Sequence, residues 1–112
     1  MALVIYDGAG PLPVSATFES PIAGGPATFV LSGTAWTQSA PVLIGINLFL
    51  DGNAIGTTAM CFANNDAVHM AMRTTCIEID NLSYGPHTIE IQAAYSNTVT
   101  DLNDYFQVTL MY

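Results

Sequence analysis

The chain has no lysine, a single arginine at position 73, and a formal net charge of −8. Attachment to nucleic acid or to an anionic membrane is driven by lysine and arginine releasing counter-ions, so neither partner is expected. Charge of either sign is scarce. Asp, Glu, Lys and Arg make up 9% of the 112 residues, against ~25% in average globular chains. Such a surface is either unusually neutral or partly covered by copies of the same chain. Closed homo-oligomers are the common way to cover it, and self-association is the expectation. The acidic excess keeps a chain that is 51% hydrophobic in solution, and it leaves attraction of a cation such as Ca²⁺ open.

Other absences narrow the class further. MALVIYDGAG has no basic region ahead of its short apolar run, so it does not read as a signal peptide. No apolar stretch is long enough to span a bilayer, and membrane insertion is not expected. The expected origin is cytoplasmic synthesis, with release or incorporation into a particle open. Two cysteines, Cys61 and Cys76, are too few for a disulfide framework. If residues 61–76 form a hairpin turning at Asn64-Asn65-Asp66, Cys61 faces about Val68. Cys76 then lies about eight residues further along, roughly 26 Å at ~3.3 Å per residue, beyond bridging distance. Both are expected to be buried free thiols. There is no Gly-x-Ser-x-Gly and there are only two histidines, His69 and His87. No catalytic residue is assigned, and a non-enzymatic protein is expected.

What the sequence does have is a period of two. In Val42–Leu50, Ile44, Ile46, Leu48 and Leu50 share one strand face. Asp51-Gly52-Asn53 then turns the chain into a return strand, since Asp-Gly between apolar runs is a strong hairpin signal. Further strands are expected over residues 2–6, 14–19 (an edge strand), 27–36, 68–74, 87–95 and 105–112. Gly33 within the third marks a bulge or a close backbone approach. After Thr74-Thr75 the apolar phase flips to Ile77 and Ile79, which marks a bulge or two strands meeting. Helical periodicity is absent. About eight strands separated by Gly, Pro and Asn turns predict an all-β fold: one domain over residues 1–112, an antiparallel β-sandwich of jelly-roll type.

The run Ile44–Leu50 followed by Asp51-Gly52, the Gly85-Pro86-His87-Thr88-Ile89 opening of an alternating strand, and the apolar ending Leu110-Met111-Tyr112 resemble the tumour necrosis factor and complement-head class of jelly rolls. Small bacterial lectins and phage fibre tips share this kind of fold. The resemblance implies neighbouring first and last strands and a compact homotrimer. Trimer burial accounts for apolar Phe49, Met111 and Tyr112 on faces turned from the core. An aligned sandwich of immunoglobulin type is the alternative, and fold alone does not fix function.

Arg73 is the sharpest single residue, because one guanidinium in an acidic chain must find a carboxylate or a ligand. With His69 on the same expected strand face and Asn64 and Asp66 in the neighbouring turn, it offers donors and acceptors to sugar hydroxyls or an acidic sugar. The competing reading is an ion pair that fixes subunit register. Trp36 and Tyr95 offer aromatic faces of the kind that pack on sugar C–H surfaces, although a lone Trp at a strand end more often packs a core or an interface. For metal, Asp101, Asn103 and Asp104 cluster oxygen donors in a short loop, yet no dedicated Ca²⁺-loop pattern is present, and the competing reading is a polar loop capping the next strand. No metal and no cofactor is therefore assigned. The functional expectation is a lectin-like, oligomeric carbohydrate-binding module. The alternative is an assembly protein of a particle or fibre tip.

Overall fold

The computed structural model describes residues 1–112 and contains nine strands and no helix. The strands are β1 (Ala2–Ala9), β2 (Val14–Ser20), β3 (Ala27–Ala35), β4 (Val42–Leu50), β5 (Asn53–Ala63), β6 (Met70–Ala71), β7 (Thr75–Ile79), β8 (Gly85–Ala93) and β9 (Tyr105–Met111). They form two antiparallel sheets. One runs β1-β9-β3, with β6 and β7 both on the far side of β3, and the other runs β2-β8-β4-β5. Leaving aside the two-residue β6, this order is a jelly roll of eight strands, as the alternation predicted.

The period of two builds the core. Along β3, Ala27, Phe29, Leu31, Gly33 and Ala35 point inward and are buried, while the intervening residues are half-exposed. Ile44, Ile46 and Leu48 of β4, Ile89 and Ile91 of β8, and Phe106, Val108 and Leu110 of β9 meet them with no exposed surface. Each such side chain contributes about 1.5–3 kcal/mol by leaving water. Gly33 resolves as a close approach: a Cβ there would sit 2.5 Å from Cδ1 of Phe106, and the β3–β9 register runs unbroken up to their pairing. The β4–β5 turn is a two-residue one. Asp51 and Gly52 have φ of 50° and 87°, and Leu50 pairs directly with Asn53. Two successive positive φ values match the right-handed twist of the flanking strands.

The stretch after Ala63 departs from expectation. Residues 61–76 are not a hairpin. β5 closes the edge of one sheet, and β6 and β7 then pair with β3 in the other. Only Met70–Ala71 of the expected 68–74 strand is paired, Val68 is exposed, and Met72 turns into the core. The phase flip at Thr74-Thr75 is thus the boundary between two short strands. Nor are the cysteines both buried thiols: they are free, but Cys76 is exposed and Cys61 half-buried. Partial burial pushes the Cys61 thiol above its ordinary pKa, which makes it a poor nucleophile.

The antiparallel topology gathers the loops at two ends. The β1–β2, β3–β4, β5–β6 and β8–β9 connections share one end. The β2–β3, β4–β5 and β7–β8 connections share the other with the chain termini, where the Met1 amino group donates to the Tyr112 carbonyl at 2.6 Å.

Candidate functional site

At the first of these ends, residues distant in sequence converge. Asp104, the last residue before β9, is fully buried. Its Oδ1 accepts from the Thr34 hydroxyl at 2.9 Å and lies 2.8 Å from His69 Nδ1, and its Oδ2 accepts from the Asp101 N–H at 2.8 Å. His69 leads into β6 and is held against this carboxylate, with its Nε2 3.8 Å from Asp101 Oδ2. The Trp36 indole packs at a tilt on the other side, its centroid 5.8 Å from the imidazole. The Trp36 backbone is fixed by a reciprocal pair of hydrogen bonds with Val99, at 2.9 and 2.8 Å, and its indole N–H is buried without a partner. The hydrogen bond to Asp104, reinforced by the charges of Asp104 and Asp101, raises the His69 pKa against the opposing effect of desolvation.

Two sets of residues that look separate in the sequence are therefore one cluster: His69 and Trp36 from the sugar candidates, and Asp101 and Asp104 from the metal candidates. The other candidates divide. Asn103 is exposed and only its backbone N–H takes part, donating to Asp101 Oδ1 at 2.8 Å. Asp66 accepts from the Ala40 N–H at 2.8 Å and so ties the β5–β6 loop to the β3–β4 loop. Asn64 is exposed in the same loop. Tyr95 follows β8, half-buried, with its ring over Gly45. Arg73 does not join His69. Since residues 68–74 are not one strand, the two do not share a strand face, and Arg73 lines a groove of about 550 Å³ with Leu43, Met60, Phe62 and the two cysteines.

A second titratable cluster lies at the opposite end, and sequence reading missed it. Asp51 Oδ2 lies 2.6 Å from His87 Nδ1, and Asp51 Oδ1 accepts from the Thr88 N–H at 2.9 Å. His87 Nε2 lies 2.8 Å from the Ser83 carbonyl oxygen and 3.2 Å from the Ser83 hydroxyl, and Phe18 stacks on the ring. The side chains superficially form a Ser-His-Asp row. However, an Nε2–H that donates to the Ser83 carbonyl has no lone pair to take the hydroxyl proton, so the row is a clasp between the β4–β5 turn and the β7–β8 loop. The clue in the sequence was Asp51 itself, which the hairpin motif had already claimed.

The clasp sets a pH dependence. The Asp51 hydrogen bond, with help from the Ser83 carbonyl and the charges of Asp51 and Glu19, outweighs desolvation and raises His87 above its ordinary 6.5. For Asp51, burial opposes ionisation, but the bonds from His87 and the Thr88 N–H and the imidazolium charge together bring it below 3.8. The His87 contribution is complete below pH 6.5 and fades as pH rises through its raised folded value. The Asp51 contribution is complete above pH 3.8 and fades as pH falls through its lowered one. Denaturant titrations of the wild type are therefore expected to show stability falling as pH rises above 6.5, and His87→Gln is expected to flatten that fall. The half-exposed carboxylate limits this difference to less than about 1 kcal/mol. A slope unchanged by the substitution would contradict the assignment.

No protein-family model matches the chain, and no curated protein matches it. Solved structures do. The chain is similar to a family 35 carbohydrate-binding module from Clostridium thermocellum, at 8% identity and a TM-score of 0.52, over 98% of this chain and 91% of that one. It is similar to the CBM36-1 domain of a multidomain xylanase from the hindgut metagenome of Trinervitermes trinervoides, at 14% identity and 0.51, over 100% and 98%. It is also similar to the C-terminal domain of EclA, a sugar-binding protein, at 12% identity and 0.52, over 99% and 77%. The chain has the fold of these modules. At such identities the likeness concerns the fold and carries no residue of theirs onto this chain.

Proposed function

We propose that the protein is a non-catalytic, lectin-like carbohydrate-binding module, whose site is the loop end that carries Trp36, His69, Asp101 and Asp104. The observation that carries this reading is the meeting of an aromatic face with an imidazole and two carboxylates in one cluster. Sugars ask for this combination, an apolar plane for C–H groups with directional acceptors and donors beside it for hydroxyls. The fold, which is also that of modules described as binding carbohydrate, supports the same reading. Self-association would multiply a weak site into useful avidity.

A glycan array followed by calorimetry on the hits, with and without divalent ions, tests it. Trp36→Ala is expected to weaken binding at least tenfold, about 1.4 kcal/mol. Trp36→Phe, which retains an aromatic face, is expected to recover part of the loss. An array without hits under both conditions would overturn the reading.

The assembly-protein alternative draws on a different surface. Leu43 of β4 and Met60 and Phe62 of β5, the edge strand of the four-stranded sheet, are exposed beside Arg73. An apolar edge with a single cation in an acidic chain suits contact with another acidic copy. Mass by light scattering decides whether copies associate. Particle incorporation without any glycan hit would favour this alternative.

A further inference from the structure

We infer that His69, Asp101 and Asp104 form a binding site for a first-row transition-metal ion, with Zn²⁺ preferred over Ca²⁺. The three side chains each offer one ligand atom, and those atoms all lie within 4.8 Å of one another. The donor set decides the class of ion. Ca²⁺ takes six to eight oxygen ligands, and this cluster presents one nitrogen and two carboxylates. Imidazole with carboxylate suits zinc and its neighbours, and three protein ligands with one position left open is a known zinc arrangement.

The site is also organised beyond its ligands. Asp104 is fully buried, so its carboxylate does not wander. Its Oδ1 is oriented by the Thr34 hydroxyl and its Oδ2 by the Asp101 N–H. Asp101 is oriented in turn by the Asn103 N–H on its Oδ1, which leaves Oδ2 facing the imidazole. The indole of Trp36 walls one side of the ring. Hydrogen-bonded carboxylates and an apolar wall are the outer features that tune metal sites.

His69 Nδ1 and Asp104 Oδ1 share one proton across 2.8 Å. The ion takes the place of that proton, which passes to Nε2 in a neutral ring and leaves for solvent from an imidazolium. The pair opens to the roughly 3.4 Å that separates two ligands each ~2.1 Å from one tetrahedral centre. Asp101, whose Oδ2 rests 3.8 Å from the other ring nitrogen, Nε2, swings to the Nδ1 side to complete the set. Its side chain is 40% exposed and that of His69 36%, so the ion has a way in and the third ligand has room to move. Bound there, the ion cross-links the β5–β6 loop to the β8–β9 loop. This inference stands on the ligand geometry and is independent of whether the same loops bind a glycan.

The test is calorimetry of chelator-stripped protein with ZnCl₂ and, separately, CaCl₂, backed by the visible absorption of Co²⁺ as a spectroscopic probe. One Zn²⁺ per chain is expected, bound at least tenfold tighter than Ca²⁺, with a rise in melting temperature. His69→Ala and, separately, Asp101→Asn are each expected to weaken zinc at least tenfold and to change the Co²⁺ bands. Both positions are at the surface, and both variants should fold. A Cys61→Ser/Cys76→Ser variant should bind as the wild type does. Absence of saturable binding, binding undiminished in His69→Ala, or binding lost with the cysteines would each overturn the inference. Zinc binding without a glycan hit would leave it intact while removing the carbohydrate reading, and the converse result would do the opposite.

Discussion

Phe106→Ala is expected to destabilise the protein by about 3–5 kcal/mol, the range for emptying a buried aromatic position. Phe106 lies on β9 in the middle of the five-stranded sheet, with no exposed surface. The usual partial relief, collapse of neighbours into the void, is restricted here. The ring is seated against two glycines. A Cβ at Gly33 would lie 2.5 Å from it, and one at Gly10 would lie 3.0 Å away. Neither neighbour has a side chain that could swing in, and both backbones are held, Gly33 in the β3–β9 ladder and Gly10 by its N–H to the Asp104 carbonyl at 2.8 Å. The cavity should stay open, putting the cost toward the upper part of the range. A fall in melting temperature on the order of 15 °C follows for a chain of this size.

The same contact predicts a sign reversal. Gly33→Ala in the wild type should destabilise, because the methyl meets the ring, whereas in the Phe106→Ala background only the end of Ile46, 3.0 Å away, still crowds it and the emptied space lets that end shift, so the change should be tolerated or slightly stabilising. Urea melts of the four proteins give the coupling directly. Additive effects would mean that the ring and the glycine do not share that space.

Much of this core is legible in the sequence. The alternations in Val42–Leu50 and in the last strand each assign one inward face, and burial follows it at Ile44, Ile46 and Leu48 and at Phe106, Val108 and Leu110. The pattern works because a strand residue has only two directions to point, and its own neighbours report which. It fails where neighbours stop being partners. Val68, Met70 and Met72 alternate like a strand. Yet the chain crosses there from one sheet to the other, and the paired run shrinks to two residues. The crossing is decided by β3 having a free side for β6 and β7, which lies outside the local sequence. The candidate site shows the same limit more strongly. His69 and Asp104 are 35 positions apart, on loops that meet only because β5 ends and β9 begins at the same end of the sandwich. Their residue types were visible, but their distance was not.

Asp104→Ala is the substitution in which fold and site are least separable, and it is expected to destabilise by about 3 kcal/mol. The carboxylate is fully buried and joins three segments: β3 through Thr34, the β5–β6 loop through His69, and its own loop through the Asp101 N–H. Removing it leaves a hydroxyl and an N–H without their acceptor, and an imidazole without the charge that holds it. Hydrogen bonds to a charged group contribute about 1.5–3 kcal/mol each, and the three share one group, so the total falls well below their sum. Asp104→Asn retains the size and one acceptor oxygen but presents an NH₂ where a second acceptor is needed, and about half the loss is expected. The backbone bonds from Asp104 N–H to the Asp101 carbonyl and from Gly10 N–H to the Asp104 carbonyl survive in both variants. The damage should therefore stay at this end of the sandwich. Hydrogen exchange should quicken in residues 64–70 and 98–104 of Asp104→Asn while β4 and β8 remain protected. A loss below about 1 kcal/mol in Asp104→Ala would mean that water replaces the carboxylate freely. The cluster would then be a surface feature that organises neither the loops nor a ligand.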